Sequence, residues 1–245
     1  MKDGTWRELE KTIVGCRLCP RLVAYREEVA RKKTRRFQSW AYWGKPLPGF
    51  GDRQARLWIL GLAPAAHGGL RTGRLFTGDA SGDFLFDALY EMGWSSQRES
   101  RERGDGLALR DVYISAAARC APPGNKPLPE ELQNCRPYLH AEHHLLKRVK
   151  VVLCLGRIAF ESYRKLRRER GLSLPPAAFS HGAIYRLEDG IPYVALSYHP
   201  SQQNTRTGRL SREMFLSVLK DIDAILREEG DHGTDGEKGL APHPG

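Results

Sequence analysis

Four short apolar runs separated by helical patterns set the limits on what this chain can fold into. They lie at 56–61, 111–117 (DVYISAA), 151–155 (VVLCL) and 192–197 (PYVALS). Each is nearly continuous in apolar residues rather than alternating, which is the pattern of strands buried on both faces. Helical periodicity fills the gaps at 80–92, 129–147, 157–169 and 208–228. Strands alternating with helices in this way predict a central parallel sheet covered on both sides. A weaker strand is expected at 183–187. Upstream, Trp6, Leu9 and Ile13 fall on one helical stripe, and Pro20 opens a second helix carrying Leu22, Val23 and Val29. One domain is expected over 1–228. The tail at 229–245, rich in glycine and charge and poor in apolar residues, reads as disordered.

In a parallel sheet the carboxyl ends of the strands share one rim, where ligands bind. Here each of those ends is followed by a polar, glycine-bearing segment. GLAPAAHGGLRTGRLFTGDASG (Gly61 to Gly82) follows the first strand, ARCAPPGNKP the second, GRIA the third and SYHPSQQNTRTGR the fourth. The first loop carries two arginines, a histidine and an aspartate among glycines that let backbone N–H groups approach a ligand. It therefore reads as a loop that holds something at its tip. No GxGxxG follows the first strand, so a dinucleotide-cofactor enzyme is disfavoured.

The net charge is +10, and the excess is uneven. Arg26, Arg31, Lys32, Lys33, Arg35 and Arg36 cluster, and Lys45, Arg53 and Arg56 follow. A polyanion is one partner this fits, through counterion release; a solvated basic face is the other reading. Residues 34–55, basic and aromatic with Pro and Gly, read as a long surface loop, and 95–110 as an exposed connection. No stretch is apolar enough to span a membrane, and the first residues lack the apolar core of a signal peptide. A cytoplasmic, nucleoid-associated monomer that does not engage membranes is expected.

Of the five cysteines, Cys154 lies inside a strand pattern and reads as a small buried hydrophobe. Cys16 and Cys19 have ligand spacing, whereas Cys120 and Cys135 are too far apart for a second short knuckle. Four thiolates at uneven spacing suit a cubane iron–sulfur cluster or a Cys₄ zinc site.

The motifs GLAPAAHGGLRTGRLFTGD, RCAPPGNKPLPEEL, HPSQQNTRTGRL and CRLCPRLVAYREEVA together resemble the family 5 (type B) uracil-DNA glycosylases. The likeness runs from about Cys16 to near Arg227. It implies a three-layer αβα fold with a central, mostly parallel sheet, here of four strands, and N-terminal helices that bind a [4Fe–4S] cluster. Cys16, Cys19, Cys120 and Cys135 are the implied cluster ligands, with zinc as the alternative metal. The implied activity is hydrolysis of the N-glycosidic bond of uracil, and of further bases such as hydroxymethyluracil or hypoxanthine, in damaged double- or single-stranded DNA. One departure stands out: Leu70 replaces the asparagine that usually precedes Arg-Thr-Gly-Arg in the family.

The resemblance carries roles to particular residues. Phe76 is the stacking platform for an extruded base, with Gly61 and Ala63 beside it. Asn125 offers its amide to the base edge; alternatively it is a turn residue. His199 hydrogen-bonds the departing base as negative charge builds on it. Asp79 positions water or, as an alternative that can coexist, caps the helix beginning at Ala80. Ser201, Gln203, Arg206 and Arg209 suit contacts to the DNA backbone. His67 lies in the first loop and is expected to face the site, while His140, His143 and His144 read as solvent-facing. The alternative function is an iron–sulfur protein that binds DNA without cutting it.

Overall fold

The computed structural model describes residues 5–231. Helix α1 (Trp6–Val14) opens on a capping box in which Thr5 and Glu8 satisfy each other's backbone N–H groups. Helix α2 (Pro20–Lys32) follows the first two cysteines. A short edge strand, β1 (Phe50–Gly51), precedes the first long strand, β2 (Leu57–Gly61). The glycine-rich loop contains a single helical turn, α3 (Gly69–Thr72), and leads into α4 (Ala80–Glu91). Then come β3 (Val112–Ala116), α5 (Pro129–Leu145), β4 (Val151–Leu155), α6 (Arg157–Glu169), β5 (Ile184–Arg186) and β6 (Tyr193–Ser197). The described chain closes with α7 (Gln202–Arg206) and α8 (Arg212–Asp231).

The sheet has six strands in the order β1-β3-β2-β4-β6-β5. The four expected strands form its parallel centre, and β1 and β5 pair antiparallel at the two edges. Among the described residues the expected four-stranded sheet is thus corrected to six strands: the weaker strand expected at 183–187 joins the edge as β5, and β1 has no counterpart in the sequence reading. The edge strands are two and three residues long and only partly buried, too short to show the apolar runs that revealed the others.

Alternate residues of each central strand enter opposite cores. Leu57, Ile59, Val112, Ile114, Val151 and Leu153 pack with α4 and α8. Trp58, Leu60, Val152, Cys154, Val194 and Leu196 pack with α5 and α6. Helices therefore cover both faces of the sheet, giving three αβα layers. Helix α1 extends the second layer through Leu9 and Ile13, against Tyr138 and Cys135 of α5. Among the described residues no helix is long and apolar enough to cross a membrane.

Three boundaries differ from expectation. The last helical pattern, 208–228, is broken: α7 ends at Arg206, Gly208 adopts a positive φ, and α8 starts at Arg212. Helix α8 runs on to Asp231, so 229–231 are helical rather than part of a disordered tail; residues 232–245 lie outside the described residues. The connection at 95–110 is also not merely exposed. Ser95 bridges to Leu109, and Asp105 makes a two-pronged, largely buried pair with Arg74.

Candidate active site

The chain leaves β2 toward β3 on one side, while the neighbouring β4 connects toward β6 on the other. Where crossovers diverge in this way, a crevice opens at the carboxyl ends of the strands. The loops after β2, β3 and β6 meet there.

Phe76 stands over the end of β2. A side chain on Gly61 would bring a Cβ within 2.9 Å of the Phe76 ring, so glycine is needed for that approach. Phe76 itself holds a left-handed backbone, φ +50°. Such strain in a large residue concentrates at functional sites. Its ring stacks on the imidazole of His199, with centroids 5.8 Å apart and planes at 26°.

His199 is fixed by its backbone: its carbonyl accepts from Ser201 N–H and from Asn204 Nδ2, each at 2.8 Å. Burial pushes its pKa down to about 4, so the ring is neutral at pH 7. Among the described residues neither ring nitrogen is hydrogen-bonded, and neither is sealed from solvent. Both are therefore free for a ligand.

Asp79 does cap α4, its Oδ1 accepting from Ser81 and Gly82 N–H at 3.0 Å each. Oδ2 takes part in neither bond. It lies where a Cβ on Gly68 would be 1.9 Å away, so only glycine admits the carboxylate at this point. Burial raises the Asp79 pKa against the lowering effect of the two amides.

Asp79, Asn125 and Gln202 line a cleft of about 760 Å³ together with Ala65, Ala66 and His67, room enough for a nucleotide. Asn125 lies on the exposed rim in a left-handed conformation, φ +57°, at the end of the turn Pro123–Asn125. Phe76 and His199 stack on each other and are not part of this cleft's lining. Ala63 packs against the α1–α5 contact and is not part of the cleft lining. Leu70 is fully buried and takes no part in the cleft lining. Ser201 caps α7 through its hydroxyl. Gln203, Arg206 and Arg209 are exposed on and after α7, with Arg209 over the Tyr198 ring at 4.6 Å.

Cys16, Cys19, Cys120 and Cys135, over a hundred residues apart at the extremes, line one small pocket. Nitrogen donors face three of the sulfurs: Arg26 Nη1 to Cys120 at 3.2 Å, Asn134 Nδ2 to Cys19 at 3.4 Å and Arg119 N–H to Cys135 at 3.5 Å. Arg21 ties α2 to α5 through both oxygens of the buried Glu131. Among the described residues no three His, Cys, Asp or Glu side chains converge closely enough for a single metal ion.

The chain matches the model of the uracil-DNA glycosylase superfamily over residues 48–223. It is 54% identical over 215 residues to a type-5 uracil-DNA glycosylase of Thermus thermophilus, covering 88% of this chain and 95% of that protein. A type-5 uracil-DNA glycosylase of Pyrobaculum aerophilum is 45% identical over 217 residues, 89% of this chain and 92% of the relative. The chain belongs to the type-5 uracil-DNA glycosylases. A type-4 uracil-DNA glycosylase of Archaeoglobus fulgidus is more distant, 30% identical over 159 residues, 63% of this chain and 70% of the relative.

Against the type-5 family, several sequence readings need correction. The two arginines of the glycine-rich loop are spent on the chain itself. Arg74 pairs with Asp105, and Arg71 donates to the carbonyls of His67 and Gly78. The basic cluster is smaller than it reads: Arg26 is buried against the cysteines, Arg53 pairs with Glu10 and Arg56 with Asp111. His140 pairs with Glu169, and His143 is half-buried with both ring nitrogens unpartnered, its pKa pushed down to about 4 by burial. The segment at 34–55 is no free loop, because its aromatic residues Phe37 and Trp40 form part of the cleft wall. Aromatic residues set among arginines were the available signal.

Proposed function

We propose that this chain is a monofunctional glycosylase that hydrolyses the N-glycosidic bond of uracil in DNA. The observation that carries the reading is the Asp79 carboxylate, with one oxygen anchored on two amides and the other free, in a cleft of about 760 Å³ whose framing loops carry the stacked pair of Phe76 and His199. The extruded base would stack on Phe76, an interaction worth roughly 1–3 kcal/mol. The Asn125 amide, free of side-chain partners, donates to uracil O4 and accepts from N3–H. Water held by Asp79 attacks C1′ as the C1′–N1 bond breaks. The electron pair of that bond leaves on the base, where neutral His199 donates to O2, and the water proton passes to Asp79.

Duplex DNA with one uracil, incubated with the protein, should be cut only after alkali, since no lysine lines the cleft to form a Schiff base. Strand breakage without alkali, or none after it, overturns the reading. His199→Ala is expected to slow release by about two to three orders of magnitude, the loss typical of one preorganised donor; an unchanged single-turnover rate removes His199 from the chemistry. Hydroxymethyluracil and hypoxanthine are further substrates on this reading. Asn125 sits on an open rim, and Ala63 to Ala66 supply no polar side chain to reject an altered base. The substrate strand is DNA of the nucleoid, bound by one copy of the chain.

The four cysteines line one pocket, and N–H donors face three of the sulfurs as iron–sulfur sites use, which favours a [4Fe–4S] cluster over zinc. Such a group would be structural here, tying α1 and α2 to the segment that leads to Asn125, since hydrolysis moves no electrons. Protein purified without oxygen should carry about four irons per chain and absorb near roughly 400 nm; stoichiometric zinc instead would overturn this.

A further inference from the structure

We propose that the segment from Arg35 to Tyr42 is a phosphate-gripping wall for the lesion strand, in the cleft that Asn125 and Gln202 also line. This deepens the glycosylase reading and rests on it. After α2 the chain makes a turn at Arg35–Phe37 and folds back so that Arg36, Phe37 and Trp40 line the same cleft as Asp79.

A merely solvated basic face would need no anchor, yet this segment has an elaborate one. The Arg71 guanidinium carbon lies 4.0 Å from the Phe37 ring centroid and 4.1 Å from that of Trp40. The same guanidinium donates to His67 O at 2.8 Å and Gly78 O at 3.0 Å. It thereby joins the segment to both ends of the loop that carries Phe76 and leads to Asp79. Trp43 N–H to Arg71 O, Gly44 N–H to Leu70 O and the Tyr42 hydroxyl against His67 Nδ1 complete the attachment.

The Arg71 guanidinium is spent on this anchor: the residue is only 4% exposed, and its Nη1 is closed off from solvent. Two observations say what the wall receives. Arg36 holds its guanidinium carbon 5.1 Å from the Phe37 ring centroid. Arg35 and Arg36 are exposed and make no ion pair among the described residues, although Lys32, Arg53 and Arg56 nearby all do. A guanidinium oriented on a ring presents its N–H fork in a fixed direction, which suits a phosphodiester. Extruding a nucleotide into the cleft brings its flanking phosphates to this rim. The contact is to backbone, so it is independent of sequence and of uracil.

The test is binding of a uracil-free single-stranded oligonucleotide, followed by fluorescence anisotropy from low to high salt. Arg36→Ala should lower the slope of log affinity against log salt by about 0.7, and Arg35→Ala/Arg36→Ala by about 1.4, with affinity at low salt down about three- to tenfold. Arg168→Ala removes the same charge from the exposed side of α6, outside the cleft, and should leave the slope unchanged. If the double variant keeps the wild-type slope, or if Arg168→Ala lowers it equally, the wall is not a phosphate site. That outcome leaves the glycosylase reading intact so long as wild type releases uracil. Wild-type protein that shows the slope difference but releases no uracil would instead sink the glycosylase reading.

Discussion

Asp79→Asn is expected to lower single-turnover release of uracil by about two to four orders of magnitude, the usual contribution of a positioned general base, while the protein remains as stable as wild type. The two halves of this prediction separate the two jobs the structure gives the residue. As a helix cap, Asp79 needs only an oxygen acceptor, and asparagine caps as well as aspartate. The Ser81 and Gly82 amides therefore keep their partner. As the group that orients water and takes its proton, the side chain needs a negative charge on the second oxygen, and asparagine has none. A variant that melts early shows that the cap dominates; one that folds and still works shows that water is activated elsewhere.

The pH dependence gives a second check. Burial raises the Asp79 pKa, so the proton is held more tightly in the fold than in the open chain. The protonated form then favours folding, and this contribution is lost as pH rises through the folded pKa. At neutral pH the buried charge is a burden that asparagine lifts, so the variant should be equally or slightly more stable there. Activity runs the other way: wild-type release should fall as pH drops through the raised pKa. His199 is already neutral across that interval down to about 4. The Asn variant should lose this limb.

The features that sequence reveals here are those that repeat or punctuate. Continuous apolar runs gave away β2, β3, β4 and β6 because burial on both faces leaves no polar positions. Of the edge strands, β5 shows only as the weak pattern at 183–187, and β1 escapes notice because Phe50–Gly51 has no room for a pattern. In the same way Asp79, Phe76 and His199 are visible as motif residues at strand ends. What the sequence hides is which charges are already satisfied. Arg26, Arg71 and Arg74 look like ligand-binding cations, but their partners are a sulfur, two backbone carbonyls and an aspartate from distant positions. Pairing of this kind is decided by tertiary packing, and no local spacing encodes it.

The buried pair of Arg119 and Glu142 is the strongest instance, and Glu142→Gln is expected to destabilise the protein by about 3–5 kcal/mol. Glu142 lies on the inner face of α5 and is fully buried; Arg119 follows β3 and is 1% exposed. Their two hydrogen bonds measure 2.9 and 2.6 Å, and the Tyr113 hydroxyl donates to the same carboxylate at 3.4 Å. The Arg119 guanidinium cannot shed its proton. Glutamine would leave that charge in the interior with one neutral oxygen in place of a two-pronged anion. Arg119 also flanks Cys120, offers its N–H to Cys135 and accepts from Leu47 N–H, so the strain would reach the cysteine pocket. For a chain of this size, the loss corresponds to a fall in Tm on the order of 6–20 °C. Replacing both partners by leucine should recover much of it, because the penalty comes from the orphaned charge rather than from the absent bond. If Glu142→Gln melts within a degree of wild type, water reaches Arg119, and the pair does not lock α5 to the sheet.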